Sequence, residues 1–269
     1  MKIFDIDGLF EKFMREQMKA DAGKYTEDEW EDRIPVLYEQ FGKTPLDELG
    51  GKSAEEYYAS FTGDQLCKLL AQHVEDEVPV SDFLCTALVE GDTEKGLKAF
   101  LKKGTDEELT SYAVNVLADK GCTDVLPLYI TFVTDPDTDD NMREIMGDVI
   151  VENANAVKEQ LLATVKKAKV GRQYLIEALS NCERDERIFA ILSECFRKTR
   201  HLSAYAHMLV KYGDERAVDL IKERIEEPSL RYADFTELKY AIEALGGEYD
   251  GKRDFSNERT YKKIKGIKS

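Results

Sequence analysis

The sequence has few of the features that mark exported, membrane-spanning or metal-binding proteins. Its 269 residues include three histidines, five cysteines and one tryptophan, with no Cys-x-x-Cys pair and no two histidines four residues apart. No apolar run approaches the roughly 18 residues that a membrane-spanning helix needs. The acids Asp5 and Asp7 interrupt the apolar core that a signal peptide requires. We therefore expect a cytoplasmic protein with reduced cysteines, no cofactor, no metal and no membrane association.

The composition is typical of a chain that folds without covalent cross-links. Apolar residues make up 42% of it and charged residues 34%, and only six residues are proline. A chain of this length buries on the order of three quarters of its unfolded surface, so stability requires neither a disulfide nor a metal. No run of strand length alternates apolar and polar residues. We therefore predict an all-α protein.

Negative charge is concentrated in the first half of the chain. The formal net charge is −16. Residues 1–153 carry 15 basic and 35 acidic side chains, whereas residues 154–269 carry 23 and 19. Such an acidic half repels a phosphate backbone, so nucleic acid is not an expected partner. We expect a protein or peptide partner, basic where it meets the acidic half, and the oligomeric state stays open.

The first 90 residues predict an irregular helical N-terminal region of short helices joined by turns. Apolar residues recur at helical spacing over 6–20. Pro35 is expected to kink or restart the second helix. Three capping boxes, in which Ser or Thr precedes Glu or Gln by three residues, mark further helix starts. They are Thr26 with Glu29, Ser53 with Glu56, and Thr62 with Gln65.

From about residue 92 the pattern becomes periodic. Apolar helical stripes alternate with short stretches of Gly, Asp, Asn, Thr or Pro, and the first helices of successive pairs begin about 30 residues apart. Asp185-Glu186-Arg187 recurs as Asp214-Glu215-Arg216. A fixed period of this size indicates stacked helical pairs that share a continuous core. The predicted pairs are 92–103 with 105–119, 122–134 with 138–153, 155–168 with 171–182, 185–199 with 201–212, and 214–227 with 232–246.

Parts of these pairs resemble HEAT repeats. The stretch from Leu126-Pro127-Leu128 through Asp135-Pro136-Asp137 to Met142-Arg143 has a first helix with an early proline, an acidic turn and a second helix with an arginine. The stretch 213–221 is similar to the start of another such unit. Over roughly residues 91–246, the resemblance implies an α-α superhelix of about five HEAT-like pairs. The predicted regions are therefore 1–90, the repeats 91–250 and a basic tail 251–269.

Several short motifs are similar to catalytic or metal-binding signatures but lack required partners. Phe4-Asp5-Ile6-Asp7-Gly8 resembles the aspartate signature of haloacid-dehalogenase-like phosphatases, but no strand precedes it, so we expect helix capping. Gly42-Lys43-Thr44 and Gly51-Lys52-Ser53 lack the earlier glycine of a P-loop. Asp135-x-Asp137-x-Asp139 lacks the later Gly and Glu of an EF-hand loop, so we expect an ordinary turn there.

The HEAT-like resemblance implies a binding surface on the second helix of each pair, since these helices tend to line the concave face. Polar and aromatic residues of those helices are the candidates for this surface. They are Tyr112, Asn115, Arg143, Arg172, Gln173, His201, Tyr205, Tyr232 and Tyr240.

These features predict a non-catalytic scaffold that binds a protein or peptide. Repeat architectures present long surfaces, and none of the motifs above retains a complete catalytic set. Two alternatives stay open. One is a HEAT-like enzyme such as a base-excising DNA glycosylase, which the negative charge disfavours. The other is a sensor of a small molecule or metal ion, with weak calcium binding at the 135–139 turn.

Overall fold

The computed structural model describes residues 1–102 and 104–264, and every regular element in those ranges is helical. The β-type contact found there is an isolated bridge between Leu46 and Lys52. The predicted all-α class is therefore confirmed for the described chain. The last residue of the predicted helix 92–103 and the final five residues of the predicted basic tail lie outside the described residues.

The chain divides into two compact units, Met1–Cys122 and Thr123–Ser269. The predicted boundary between residues 90 and 91 falls inside the first unit. The helices of the first predicted pair, 92–103 with 105–119, pack with helices of the N-terminal region. The other four predicted pairs belong to the second unit.

The first unit contains seven α-helices among its described residues. The helix predicted over 6–20 has those bounds, whereas the fifth helix was not predicted. The helices are α1 (Ile6–Ala20), α2 (Glu27–Gly42), α3 (Ala54–Ala59), α4 (Gly63–Glu75), α5 (Asp82–Glu90), α6 (Glu94–Phe100) and α7 (Glu107–Asp119).

Side-chain caps explain where these helices begin. The Asp5 carboxylate accepts a hydrogen bond from the Gly8 N–H at 2.8 Å, so it caps α1 as predicted. All three predicted capping boxes are present. In the box that starts α3, Ser53 Oγ accepts from the Glu56 N–H at 3.2 Å, and the Glu56 carboxylate accepts from the Ser53 N–H at 3.1 Å. Each box satisfies backbone donors that the first helical turn leaves unpaired.

Helix α2 runs through Pro35 as one helix, so of the predicted kink or restart the restart does not occur. Because Pro35 is exposed, water can serve the carbonyl whose partner N–H proline lacks. Ile34 is 42% exposed, although it follows the buried Trp30 by four residues, while Leu37 and Phe41 are buried. The buried stripe of α2 is therefore narrower than its apolar pattern.

The second unit contains nine α-helices among its described residues. Eight of them form the four predicted pairs, with ends at the predicted bounds or up to four residues inside them. The ninth helix lies within the segment 251–269, for which the sequence predicts a basic tail and no helix. They are α8 (Leu126–Thr134), α9 (Asp140–Glu152), α10 (Lys158–Thr164), α11 (Arg172–Ser180), α12 (Glu186–Lys198), α13 (Leu202–Tyr212), α14 (Ala217–Ile225), α15 (Tyr232–Ala244) and α16 (Arg259–Ile264).

The helices of the second unit pack in the order that stacked pairs require. Within each pair the two helices are in contact, as in α8 with α9 and α14 with α15. The second helices α9, α11, α13 and α15 also pack each against the next. Residues buried between them, such as Ile176 and Leu209, are 0–1% exposed. Burial of one such side chain contributes about 1.5–3 kcal/mol, so the shared interior holds the row together.

The sequence repeat at Asp185 and Asp214 is also a structural repeat. Arg187 binds the Asp185 carboxylate two residues before it and, through both terminal nitrogens, the Glu159 carboxylate of the preceding pair. The repeated contacts use an arginine and an aspartate 29 residues later and a glutamate 27 residues later. They join Arg216 to Asp214 and to Glu186. The same residue types thus connect successive pairs at two consecutive positions.

Candidate functional site

The nine residues predicted to form a binding surface are divided between the two units. Tyr112 and Asn115 lie on α7 in the first unit, and the other seven lie in the second unit. Of those seven, Arg172 and Tyr205 are brought together, since both line a cavity of about 240 Å³.

The Arg172 cavity is polar, and its charged groups bind one another or the backbone. Arg172 Nε donates to the Val165 carbonyl at 3.0 Å, and Arg172 Nη2 lies 3.7 Å from Cys195 Sγ. Lys198 pairs with Glu194 at 2.7 Å. Burial raises the pKa of the Cys195 thiol in spite of the nearby guanidinium. The thiol is therefore protonated at neutral pH and is a poor nucleophile.

Arg143 lies inside the second unit and not on its surface, with 6% of its area exposed. Its Nε donates to the Val133 carbonyl at 3.1 Å, and its Nη2 donates to the carbonyls of Asp135 at 3.1 Å and Thr138 at 2.8 Å. Its Nη1 pairs with the Asp140 carboxylate. Arg143 thus fixes the turn between α8 and α9, and these bonds leave it unavailable to a partner.

The remaining candidates are spread along their helices. Tyr240 is 58% exposed, and Gln173 and His201 are exposed as well. Tyr232 instead packs edge-on against the rings of Phe255 and Tyr261, at 5.4 and 4.8 Å between centroids. The structure therefore leaves Tyr240, Gln173 and His201 accessible and uses Tyr232 to anchor the C-terminal segment.

The short motifs have structural roles in the described chain. The Asp135 carboxylate accepts from the Asp137 N–H at 3.0 Å, and the Asp139 carboxylate accepts from the Asn141 N–H at 2.8 Å, which are turn and cap bonds. Burial, together with the Asp5 and Asp82 carboxylates, raises the pKa of Asp7. Among the described residues, no three His, Cys, Asp or Glu side chains gather closely enough to hold a metal ion.

A larger cavity, of about 750 Å³, lies in the first unit between α3, α4 and α5. We call it the α3–α5 groove. Its floor is formed by Tyr58, Leu66 and Phe83, of which Tyr58 and Leu66 are at most 2% exposed. Burial raises the pKa of Tyr58 to about 12, so its phenol is neutral. The groove thus has an apolar, uncharged base.

Contacts behind the groove fix the position of Phe83. Its ring stacks on Tyr38, with centroids 4.7 Å apart and planes 17° from parallel. Gly42 of α2 lies directly against the Phe83 ring, and a side-chain carbon at this position would overlap the ring. The same carbon would lie 3.1 Å from Glu55 Oε1, so the Glu55 carboxylate sits beside the ring. The absence of a side chain at Gly42 allows this close packing.

Three carboxylates, those of Glu55, Glu56 and Glu90, line the rim of the groove. No lysine or arginine is among the described residues that line it. Glu56 is held by the Ser53 N–H, whereas Glu55 and Glu90 make no side-chain hydrogen bond or ion pair with any described residue. Lys43, whose charge reaches Glu55, bonds to Glu39 at 2.6 Å. Lys120 Nζ donates to the carbonyls of Val89 and Gly91, on either side of Glu90, at 2.7 and 2.8 Å. The three rim carboxylates therefore outnumber the two nearby lysines, and the rim keeps a net negative charge.

The sequence alone did not identify this groove. The sequence pattern places Glu56 in a capping box and predicts no helix over the segment that forms α5. Ser81 followed by an apolar run was the available signal, since Ser81 Oγ accepts from the Leu84 N–H at 3.4 Å and caps α5. Without α5, Phe83 and Glu90 could not be placed opposite α3.

Comparison with known proteins finds no family model, no curated protein and no solved structure that matches this chain. In the part of the chain that the structure describes, none of the helices combines the length and apolar character needed to cross a bilayer.

Proposed function

We propose that the protein is a non-catalytic scaffold that binds a protein or peptide, built from HEAT-like helical pairs and acting in the cytoplasm. The observation that carries this proposal is the row of second helices α9, α11, α13 and α15, each packed against the next. Helices arranged in such a row present exposed side chains at regular intervals, which suits an extended partner.

Exposed side chains on this row support the proposal. Tyr240 on α15 is 58% exposed, and Gln173 on α11 is also exposed. A tyrosine supplies a large apolar contact with a polar end at a low cost in side-chain entropy, which is why tyrosines are enriched in binding hot spots. Tyr240 is therefore the side chain on the row that best suits a partner contact.

The two alternatives have less support. A glycosylase requires a basic surface that grips duplex DNA, whereas the chain carries a net charge of −16. A calcium sensor at 135–139 requires free carboxylate ligands, and the carboxylates of Asp135 and Asp139 accept backbone hydrogen bonds. No specific contact favours either alternative over the scaffold.

The test is affinity capture from the native cell lysate at moderate salt, with the immobilised full chain and mass spectrometry. The variant Gln173→Ala/Tyr240→Ala removes exposed side chains from the row, and Arg197→Ala/Glu223→Ala removes exposed side chains from first helices as a matched control. We expect a partner that the wild type and the control retain and the row variant loses. Equal retention by all three chains would contradict a binding role for the row. Tight binding of duplex DNA at low salt would favour the enzyme alternative.

A further inference from the structure

We infer that the α3–α5 groove is a docking site for a basic segment of a partner protein, with an arginine or lysine at the rim and a neighbouring apolar side chain on the floor. This inference rests on the proposed function, because it assumes that the partner is a protein or peptide. It adds a site in the first unit that is independent of the row of second helices.

The dimensions of the groove suit side chains of a peptide. Its volume of about 750 Å³ lies within the range of about 300–1,000 Å³ that is common for ligand sites. The floor is preorganised, since Tyr58 and Leu66 are buried and Phe83 is stacked on Tyr38. A fixed apolar floor binds an apolar side chain without a large cost for ordering the protein.

The negative charge of the rim favours a partner that carries positive charge. Glu55 and Glu90 have no bonded cation among the described residues, and Glu56 brings a third negative charge to the same rim. A cation placed between them would be attracted by all three, and the low-polarity floor beneath would strengthen that attraction. An anionic ligand such as a nucleic acid or an acidic peptide would be repelled.

The acidic rim and the apolar floor of the groove together favour a peptide over a simple cation. A metal ion would need several converging ligands, and the described residues form no such group here. A small amine would use the carboxylates but leave the half-buried Phe83 ring in contact with water. A peptide with a basic residue next to an apolar one satisfies the rim and the floor at the same time.

The test is fluorescence anisotropy with the full chain and a labelled short peptide in which arginine and leucine alternate. Two control peptides carry glutamate in place of arginine, or serine in place of leucine. We expect saturable binding of the arginine–leucine peptide, weaker binding of the arginine–serine peptide and none of the glutamate peptide. Absence of saturable binding, or equal binding of the first two peptides, would overturn the inference.

Matched variants locate the binding. Glu55→Gln/Glu90→Gln removes two rim charges with little change in shape, and Glu27→Gln/Glu31→Gln removes two exposed charges of α2 outside the groove. We expect the rim variant to weaken binding about tenfold and the α2 variant less than about twofold. Thr86→Lys, which places a cation in the groove, should also weaken binding, whereas Thr86→Gln should not. Equal weakening by both glutamine pairs would show attraction to net charge only and would overturn the site.

Two further readouts separate this inference from the proposed function. If the partner captured by the wild type is retained by Glu55→Gln/Glu90→Gln and lost by the row variant, the groove inference fails while the scaffold stands. Sedimentation over a range of concentrations tests whether a second copy occupies the groove. A dimer that the rim substitutions dissociate would replace the partner segment by this chain itself and would also overturn the inference.

Discussion

The guanidinium of Arg187 binds the carboxylate of Glu159 through both terminal nitrogens, at 2.9 and 2.6 Å, and so joins two successive helical pairs. The Asp185 carboxylate holds the same guanidinium from the other side at 2.7 Å. Two parallel hydrogen bonds fix the orientation of a guanidinium as well as its position. The bridge therefore helps to set how one pair is placed on the next, although its side chains are exposed.

We predict that the Arg187 bridge makes a small and non-additive contribution to stability. Arg187→Lys keeps the positive charge but loses the bidentate hydrogen bonding, and Glu159→Gln removes the negative charge of the carboxylate that Arg187 binds. Each should lower the urea midpoint slightly, and the double variant should lower it by less than the sum of the two, because both remove one interaction. High salt should reduce the coupling. Strictly additive losses would show that the two side chains act independently.

We expect substitution of Arg143 to destabilise the protein more than substitution of Arg187. Arg143→Met leaves the carbonyls of Val133, Asp135 and Thr138 without the donors that they have in the wild type. Leaving one buried and two partly buried acceptors without these donors should lower the free energy of unfolding by about 2–4 kcal/mol, as measured by urea denaturation followed by circular dichroism.

The exposed Arg172 supplies the control for this substitution. Arg172→Met changes the same side chain in the same way on a neighbouring second helix, and it should cost less than about 1 kcal/mol because water can replace its partners. Arg143→Lys should fall between the wild type and Arg143→Met, since an ammonium cannot reach all the acceptors at once. A loss at Arg143 no larger than at Arg172 would contradict a fastening role for Arg143.

Asp7 should make stability fall as pH rises. Its pKa is raised by burial and by the carboxylates of Asp5 and Asp82, so the folded state binds this proton more tightly than the unfolded state. The resulting stabilisation is complete below the ordinary pKa of about 4 and is lost as pH rises through the raised folded pKa. Relative to Asp7→Asn, the wild type should therefore lose stability over that window, as measured by thermal unfolding.

For Asp185 we predict a pH dependence of stability opposite to that of Asp7. Hydrogen bonds from Arg187 lower the pKa of Asp185 to about 2. Its stabilisation is present above the ordinary pKa and is lost as pH falls through about 2. Relative to Asp185→Asn, the wild type should therefore lose stability on acidification. The stability difference between the wild type and Asp7→Asn and that between the wild type and Asp185→Asn should therefore change with pH in opposite directions. If both changed in the same direction, the environment described for one of the two carboxylates would be wrong.

Local signals in the sequence predicted the helix starts well, because capping is a local interaction. Thr26, Ser53 and Thr62 each bond within three residues, so the pattern of the box contains the whole interaction. Arg143 is buried because it bonds to carbonyls five to ten residues away, in the turn between α8 and α9. The conformation of that turn cannot be read from the sequence pattern. Spacing alone could therefore place Arg143 on a second helix but not inside the protein.

The groove could not be predicted for a similar reason. Its floor and rim bring together residues of α3, α4 and α5, and Phe83 is positioned by Tyr38 and Gly42 of a fourth helix. Each of these residues has an ordinary local explanation in its own segment. Only tertiary packing, which overrides local preference, brings Glu55 and Glu90 to the same cavity.

The charge asymmetry of the chain leads to the last prediction, which concerns association rates. Residues 1–153 carry 15 basic and 35 acidic side chains, and the α2 acids Glu27, Asp28, Glu31 and Asp32 are all exposed. Reversing these four to Lys should slow the association of the captured partner and flatten its salt dependence, because steering of a basic partner acts over about a Debye length.

The control and the measurement follow from the position of these acids on α2. Glu27 and Asp28 lie in its first turn, where negative charge stabilises the helix N-terminus, so reversing only Glu31 and Asp32 isolates the steering effect. Association is followed by stopped flow between about 50 and 300 mM salt, with melting temperature as a check on folding. We expect the reversal of Glu31 and Asp32 to reduce the rate most at low salt and to leave the melting temperature nearly unchanged. An unchanged rate and salt slope would mean that the acidic face of α2 serves solubility and does not guide the partner.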